Sequence, residues 1–478
     1  MKKAKKLISL CLGTILCANL LSGCGGAASE RTEPAADTKG EVKEESGAAA
    51  ESSDSQGDVN WITAEDISDM PETTIRYWYY ETPERIELGQ KQVEEFMELH
   101  PNIKVSGSVA PDNTDNEMLM TYIQSRTNSN IHQSLNIEDL WYVNNGLLYP
   151  LNNFPDFEEQ MARMDPDLNY TWVDGNTYSI SWYTSPNVMF YNKKMMEEVG
   201  WDPANPPQTY SEYFDFAQRV TDPANKRWAI APWMGEEWWR WQFTMYPFYI
   251  AANGSNQTVA EDGQSVIFNN ENMLKVYEFY EKLFDEGWAY KELWDIDPFI
   301  TGQTASTRGQ SDVLASVQNS AAEDFEFVIG PIPVPDGTQR GEVDTYGFVR
   351  NFCIIDELGV EEGEERDRVR RASWEFIKFL LSDEQCAKDF AVSGEYPCLK
   401  DVQENEVIKP VFEQFGDSAS ELLEVGKNST ISDMNTLHEC DIMLPLQTAF
   451  LKVAYGEMGS KEALDWAESE ANQILQSK

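Results

Sequence analysis

The sequence predicts an α/β fold organised as two lobes or domains, and three observations carry that expectation. The chain has 478 residues, more than one hydrophobic core usually supports. Its first folded stretch reads strand, helix, strand, the opening of an α/β unit. No internal repeat in the range of solenoids or propellers competes with that reading.

The elements follow in order. Thr74-Ile75-Arg76-Tyr77-Trp78-Tyr79-Tyr80 is a β-prone run. After a turn at Pro83 comes a helix with Ile86, Val93, Phe96 and Met97 on one face, stopped by Pro101, and Ile103-Lys104-Val105 reads as the second strand. Thr209-Tyr210-Ser211-Glu212 and Ser382-Asp383-Glu384-Gln385 fit the capping box, in which a hydroxyl and a side chain three residues on satisfy free N–H groups. Ser460 to Leu475 places Leu464, Ala467, Ala471 and Ile474 along one stripe of a final helix.

Composition excludes several classes of function. Net charge is −45, with 41% hydrophobic and 12% aromatic residues, which is too apolar for wholesale disorder and too acidic for nucleic acid or anionic lipid headgroups. His100, His132 and His438 are the whole histidine supply and form no spaced motif, so a His-rich zinc site is not expected. Asp112–Glu117 and Asp295–Asp297 are calcium-like in composition but lack the Gly and distal Glu of an EF-hand loop. No metal and no cofactor is expected.

The chain starts as a leader. Lys2, Lys3, Lys5 and Lys6 precede an apolar run from Leu7 to Leu21 that is short for a membrane span. Leu21-Ser22-Gly23-Cys24 resembles the lipobox of bacterial lipoproteins, which implies a signal peptide over 1–23, lipidation of Cys24, and anchorage at the extracellular face of the cell membrane. Residues 24–70 then form a flexible acidic tether, with no aromatic residue from Gly25 to Gly57. Cys353, Cys386, Cys398 and Cys440 remain in the body, where three pairings or buried free thiols are all open.

The body resembles the family 1 extracellular solute-binding proteins, the sugar-binding subunits of ABC importers. The matching stretches run in the family's order: Gly146-Leu147-Leu148-Tyr149-Pro150-Leu151, Asp174-Gly175-Asn176-Thr177-Tyr178, Phe190-Tyr191-Asn192-Lys193-Lys194-Met195, Pro206-Pro207-Gln208-Thr209-Tyr210, Gly330-Pro331-Ile332-Pro333, and Trp374-Glu375-Phe376-Ile377-Lys378-Phe379-Leu380. One departure is that the proline expected soon after Tyr178 is delayed to Pro186. The resemblance implies a two-lobed, type II periplasmic-binding-protein-like fold with a hinge and an interlobe ligand cleft. The N-lobe is expected over 71–182 plus 341–398, and the C-lobe over 187–335 plus 399–478. It also implies a carbohydrate ligand, an oligosaccharide, handed by a monomeric binding protein to ABC permease subunits.

A sugar needs aromatic planes for its C–H faces and polar side chains for its hydroxyl rim. The densest supply is Trp233 to Trp241, from which Trp233, Glu236, Trp238 and Trp239 are candidate cleft residues while Trp241 is expected in the core. The end of the first strand offers Trp78, Tyr79, Tyr80 and Glu81. Asn136 and Glu138 occupy a slot where the family places hydrogen-bonding residues, and Trp182 and Tyr183 fall at the lobe crossover. Arg308, whose guanidinium fork suits vicinal hydroxyls, joins an outer shell of Tyr346, Arg350, Glu395 and Tyr396. An enzyme is not expected, because adjacent Glu236 and Glu237 diverge by about 100° on a helix and cannot face one glycosidic bond. The alternative is a surface glycan-binding or glycan-degrading lipoprotein that uses the same rings without a transporter.

Overall fold

Two β-sheets meet at Asn187, which separates consecutive strands belonging to different sheets. The computed structural model describes residues 59–477 apart from 81, 112–115, 170, 172–173, 295, 323, 357–361 and 434–435. The leader, Cys24, most of the tether and Glu81 lie outside the described residues.

The first sheet uses β1 (Thr73–Tyr79), β2 (Ile103–Val109), β3 (Ile131–Leu135) and β4 (Ser179–Pro186), and the second begins with β5 (Val188–Asn192). Then follow β6 (Ser306–Gly309), β7 (Phe327–Gly330), β8 (Thr345–Ile354), β9 (Tyr396–Pro397) and β10 (Ser429–Thr430). Among the described residues the larger sheet has the order β2-β1-β3-β8-β4-β9, with β10 beside β8, and the smaller has the order β6-β5-β7. Strand β1 runs parallel to β2 and β3, whereas β8 runs antiparallel to both β3 and β4.

The first helix, α1 (Pro83–Leu99), starts where the proline permits: Thr82 caps it by accepting from the Arg85 N–H at 3.3 Å. Its Phe96 packs on Phe376 and Phe379 of the helix Glu364–Leu380. Thr209 and Glu212 form the reciprocal capping box expected of them. At Ser382 only half of the box forms, since the Gln385 amide donates to Glu95 at 2.8 Å instead. In the last helix, Leu464, Ala467 and Ala471 are buried and Ile474 packs on the same core.

The packed body begins earlier than residue 71. Trp61, Ile62, Ile67 and Met70 are buried, and the Trp61 indole donates to Glu364 at 3.2 Å. Residues 59–70 are therefore held by core burial rather than belonging to a free tether. The four body cysteines are all free thiols.

Three local constraints explain the placement of rings expected in the cleft. Tyr79 lies between α1 and β2, where Gly89 and Gly107 leave room for it: a Cβ on Gly107 would fall 1.8 Å from its hydroxyl oxygen and one on Gly89 2.8 Å from its ring. Trp78, on the opposite face, packs edge-on to Tyr122 in a second cluster with Leu119, Ile123 and Tyr142. The β4–β8 register shifts between Ser181 and Tyr183. Such a bulge relaxes the strict alternation of side chains, and Trp182 and Tyr183 both pack on Arg85, at 4.8 and 4.1 Å.

Arg85 is itself buried. It makes a two-pronged contact with Asp389 at 2.8 and 2.6 Å and reaches Glu395 at 2.5 Å. Glu395 therefore serves this ion cluster, and the Tyr396 hydroxyl, fully buried, donates to the Ala419 carbonyl.

Two outcomes follow from this packing. Gly107→Ala is expected to lower unfolding stability by about 1–3 kcal/mol through the clash with Tyr79, and by less in a Tyr79→Ala background, measured by urea denaturation. Arg85→Met leaves Asp389 and Glu395 buried together without their cation. A loss of about 3–5 kcal/mol is expected in the same assay.

Candidate functional site

The segment that joins the two sheets is pinned on every side. The Asn187 N–H and its side-chain amide both donate to the Tyr346 carbonyl at 2.8 Å, and its carbonyl accepts from the Thr345 hydroxyl at 2.7 Å. Its Oδ1 accepts from Arg308 at 2.7 Å. Side chains from both sheets converge next to this point.

From the smaller sheet's side comes a shelf of rings. Trp233 stands edge-on to Trp239 (5.1 Å between centroids) and to Trp294 (5.4 Å), all three half-buried. Arg240 covers Trp239 at 4.6 Å and pairs with Glu237 at 2.5 Å. That hydrogen bond holds the Glu237 carboxyl below its usual range, and Glu236 is exposed. The loop that carries Trp233 is fixed by Gln447, whose amide donates to the Gly235 carbonyl at 2.6 Å. Gly235 has φ of +128°, and a Cβ there would meet the Arg240 guanidinium at 2.5 Å. Trp238 packs half-buried against the core and Trp241 is fully buried, as expected.

From the larger sheet come Glu138 and Arg350. Helix α2 (Asn116–Ser125) precedes β3, and α3 (Asn136–Asn144) follows it directly. Asn136 is buried at the start of α3, and Glu138 caps the turn by accepting from the Leu135 N–H at 2.7 Å. Burial raises the Glu138 carboxyl above its usual range, against the pull of Arg350, which pairs in register with Leu135. Tyr80 contacts His132 Nδ1 at 3.4 Å, and burial pushes that imidazole down to about 3, so it is neutral at pH 7. Asp139 ties the sheet beneath, accepting from Ser134, from Ser179 at 2.6 Å and from Asn351 at 2.9 Å.

Phe243 links the two sides. Its ring lies 6.5 Å from Trp233 and 5.8 Å from Phe348, and Phe348 shares a face of β8 with Tyr346 and Arg350 by strand alternation. Tyr346 is fully buried, with its hydroxyl accepting from Gln242 at 2.7 Å. It braces the junction instead of lining an open face.

Of the predicted residues, the structure thus gathers Trp233, Trp239 and Arg308 on one side and Asn136 and Glu138 on the other. Trp78, Tyr79, Trp182, Tyr183, Glu395 and Tyr396 are committed to packing. Tyr80 and Arg350, both among the residues the sequence offered, lie with the gathered set, and so does Trp294, which it did not single out. Trp294 carries one usable sequence signal, an isolated ring in an acidic loop beside the exposed apolar Leu293. Surface cavities of about 480, 370, 440 and 330 Å³ are lined by none of the predicted residues. Among the described residues no cluster of three or more His, Cys, Asp or Glu could hold a metal, and no helix is long and apolar enough to cross a membrane.

A two-sheet α/β body with a ring shelf and polar groups at the junction is the arrangement of a binding protein. A model of the bacterial extracellular solute-binding protein family matches residues 91–413, and the chain belongs to that family. It is 25% identical over 231 residues to the sn-glycerol-3-phosphate-binding periplasmic protein UgpB of Salmonella typhimurium, 47% of this chain and 49% of that protein. The chain thus spans about half the length of the curated relatives it matches. In fold it is similar to the cyclic α-maltosyl-1,6-maltose binding protein of Arthrobacter globiformis (TM-score 0.68, 19% identity, 85% of this chain and 100% of that one). It is also similar to an ABC substrate-binding protein of Listeria monocytogenes in complex with cycloalternan (TM-score 0.70, 18% identity, 85% and 99%). The fold is the two-lobed α/β fold of these proteins.

Next to the shelf, Asp297 accepts from the Phe299 N–H and the Thr307 hydroxyl, and burial pushes its carboxyl from 3.8 up to about 6. The folded chain therefore holds this proton longer than the unfolded chain does. Between about pH 4 and 6 the contribution of Asp297 to stability falls as pH rises, and above that window it is flat. Unfolding free energies of the wild type minus Asp297→Asn are expected to decline by about 2–3 kcal/mol from pH 4 to pH 7.

Proposed function

We infer that this protein captures a carbohydrate, an oligosaccharide, and delivers it to the permease of an ABC importer while anchored to the outer face of the membrane through lipidated Cys24. The observation that carries the reading is the half-buried shelf of Trp233, Trp239 and Trp294 across the junction from Glu138 and Arg350. Rings of this kind offer flat apolar faces to sugar C–H groups, and the partly desolvated polar side chains suit hydroxyls. The names of the structurally similar proteins, one binding a cyclic maltosyl sugar and one in complex with cycloalternan, support the same class of ligand. The lobes are proposed over 71–182 plus 341–398 and 187–335 plus 399–478, closing on the ligand about the Asn187 segment. The closed form of the monomer is what a permease would recognise. Two or three acyl chains on Cys24 suffice for stable anchorage without a spanning helix.

Intrinsic tryptophan fluorescence, titrated with a panel of neutral and acidic oligosaccharides, tests this reading. A saturable response to at least one glycan is expected, weakened roughly 10- to 100-fold by Trp233→Ala. A response to peptides or polyamines alone would overturn it.

A further inference from the structure

Five arginines are buried among the described residues: Arg85, Arg308, Arg366, Arg370 and Arg371. Four of them have carboxylate partners. Arg85 holds Asp389 and Glu395, Arg366 and Arg370 share Asp356, and Arg371 reaches Glu375 at 2.8 Å. Arg308 differs. It is 7% exposed, its one hydrogen bond within the chain goes to a neutral acceptor, Asn187 Oδ1, and no described carboxylate lies within ion-pair distance.

The nearest acids do not substitute for a partner. Asp312 and Asp297 act on Arg308 only from longer range, and both Asp297 oxygens already accept hydrogen bonds, from Phe299 and Thr307. The guanidinium carbon lies over two rings, 5.8 Å from the centroid of Trp233 and 5.9 Å from that of Phe243. Its remaining nitrogens neither donate within the chain nor belong to the sealed polar atoms that lack partners. They therefore open to solvent beside the ring shelf. A buried cation left without an anion is costly, and the guanidinium edge formed by Nε and Nη2, which Asn187 leaves free, is a fork that fits a carboxylate or phosphate through two parallel hydrogen bonds.

We propose that the ligand carries an anionic group, a carboxylate or a phosphate on a polyhydroxylated body, which docks on the open edge of Arg308 while the body lies along Trp233. This rests on the reading of the same junction as the ligand site. Arg308 sets the specificity by charge and Trp233 supplies the apolar contact.

The test uses the chain with its leader removed and calorimetric titration with four probes: digalacturonate, its carboxyl-reduced neutral counterpart, sn-glycerol 3-phosphate and glycerol. An anionic probe is expected to bind at least tenfold tighter than its neutral counterpart. Arg308→Gln is expected to abolish that preference and Arg308→Lys to retain part of it, with thermal unfolding confirming that each variant folds. If the Gln variant does not fold, the Lys variant and the decline of affinity with added salt carry the same comparison. Preference for digalacturonate assigns a carboxylate. Binding of sn-glycerol 3-phosphate without digalacturonate assigns a phosphate, keeping the anion and overturning the oligosaccharide. Equal affinity for digalacturonate and its neutral counterpart, unchanged by Arg308→Gln, overturns the anion and leaves the oligosaccharide standing. No binding of either anionic probe overturns the proposal.

Discussion

The structure turns on one amide side chain at the passage between its two sheets. Asn187 is the single residue separating β4 from β5, and backbone and side chain together give it four hydrogen bonds, to Tyr346, Thr345 and Arg308. The partners come from β8 in the larger sheet and β6 in the smaller, so one residue sets the distance and orientation between their ends. Ser185, two residues earlier in β4, adds a second connection, with a 2.8 Å contact between its hydroxyl and that of Ser311 and a further bond from the Ser311 N–H. A buried polar junction of this kind needs all its members satisfied. That requirement explains why hydrogen-bonding groups, rather than apolar side chains, fill the passage, Arg308 being the one charged member among them.

Around this passage the rings divide by what their backbone allows. Those on regular strands or beside glycine are absorbed: Tyr79 by the space over Gly89 and Gly107, Trp78 by the helix that follows β2. The rings that stay partly accessible are carried on turns, Trp233 ahead of the short helix Trp238–Thr244 and Trp294 in an irregular loop. Loops held at their base by a scaffold, here by Gln447 on Gly235, present side chains that a packed strand cannot spare.

Much of this was legible in the residues. The strand–helix–strand opening, the box at Thr209, the buried Trp241 and the stripe of the last helix follow from local periodicity and capping, and the structure has them. The solute-binding family was readable from the order of short motifs, none of which is informative alone. What escaped depends on contacts distant in sequence. Trp182 and Tyr183 turn to Arg85, about a hundred residues upstream, through a bulge that period-two alternation does not anticipate. Glu395 reads as a rim hydrogen-bonder until its partner on α1 is known. Trp61 to Met70 follow a stretch without an aromatic residue, and their burial depends on a surface supplied in part by Glu364.

The free thiols of Cys353, Cys386, Cys398 and Cys440 give the body a mechanical character of its own. No disulfide among them joins the larger sheet to the smaller, so these cysteines add no covalent tie to the non-covalent contacts at the Asn187 passage. Such contacts break and re-form without an oxidant or an isomerase. Reductant therefore has no disulfide to break among these four cysteines, of which Cys440 is the least buried.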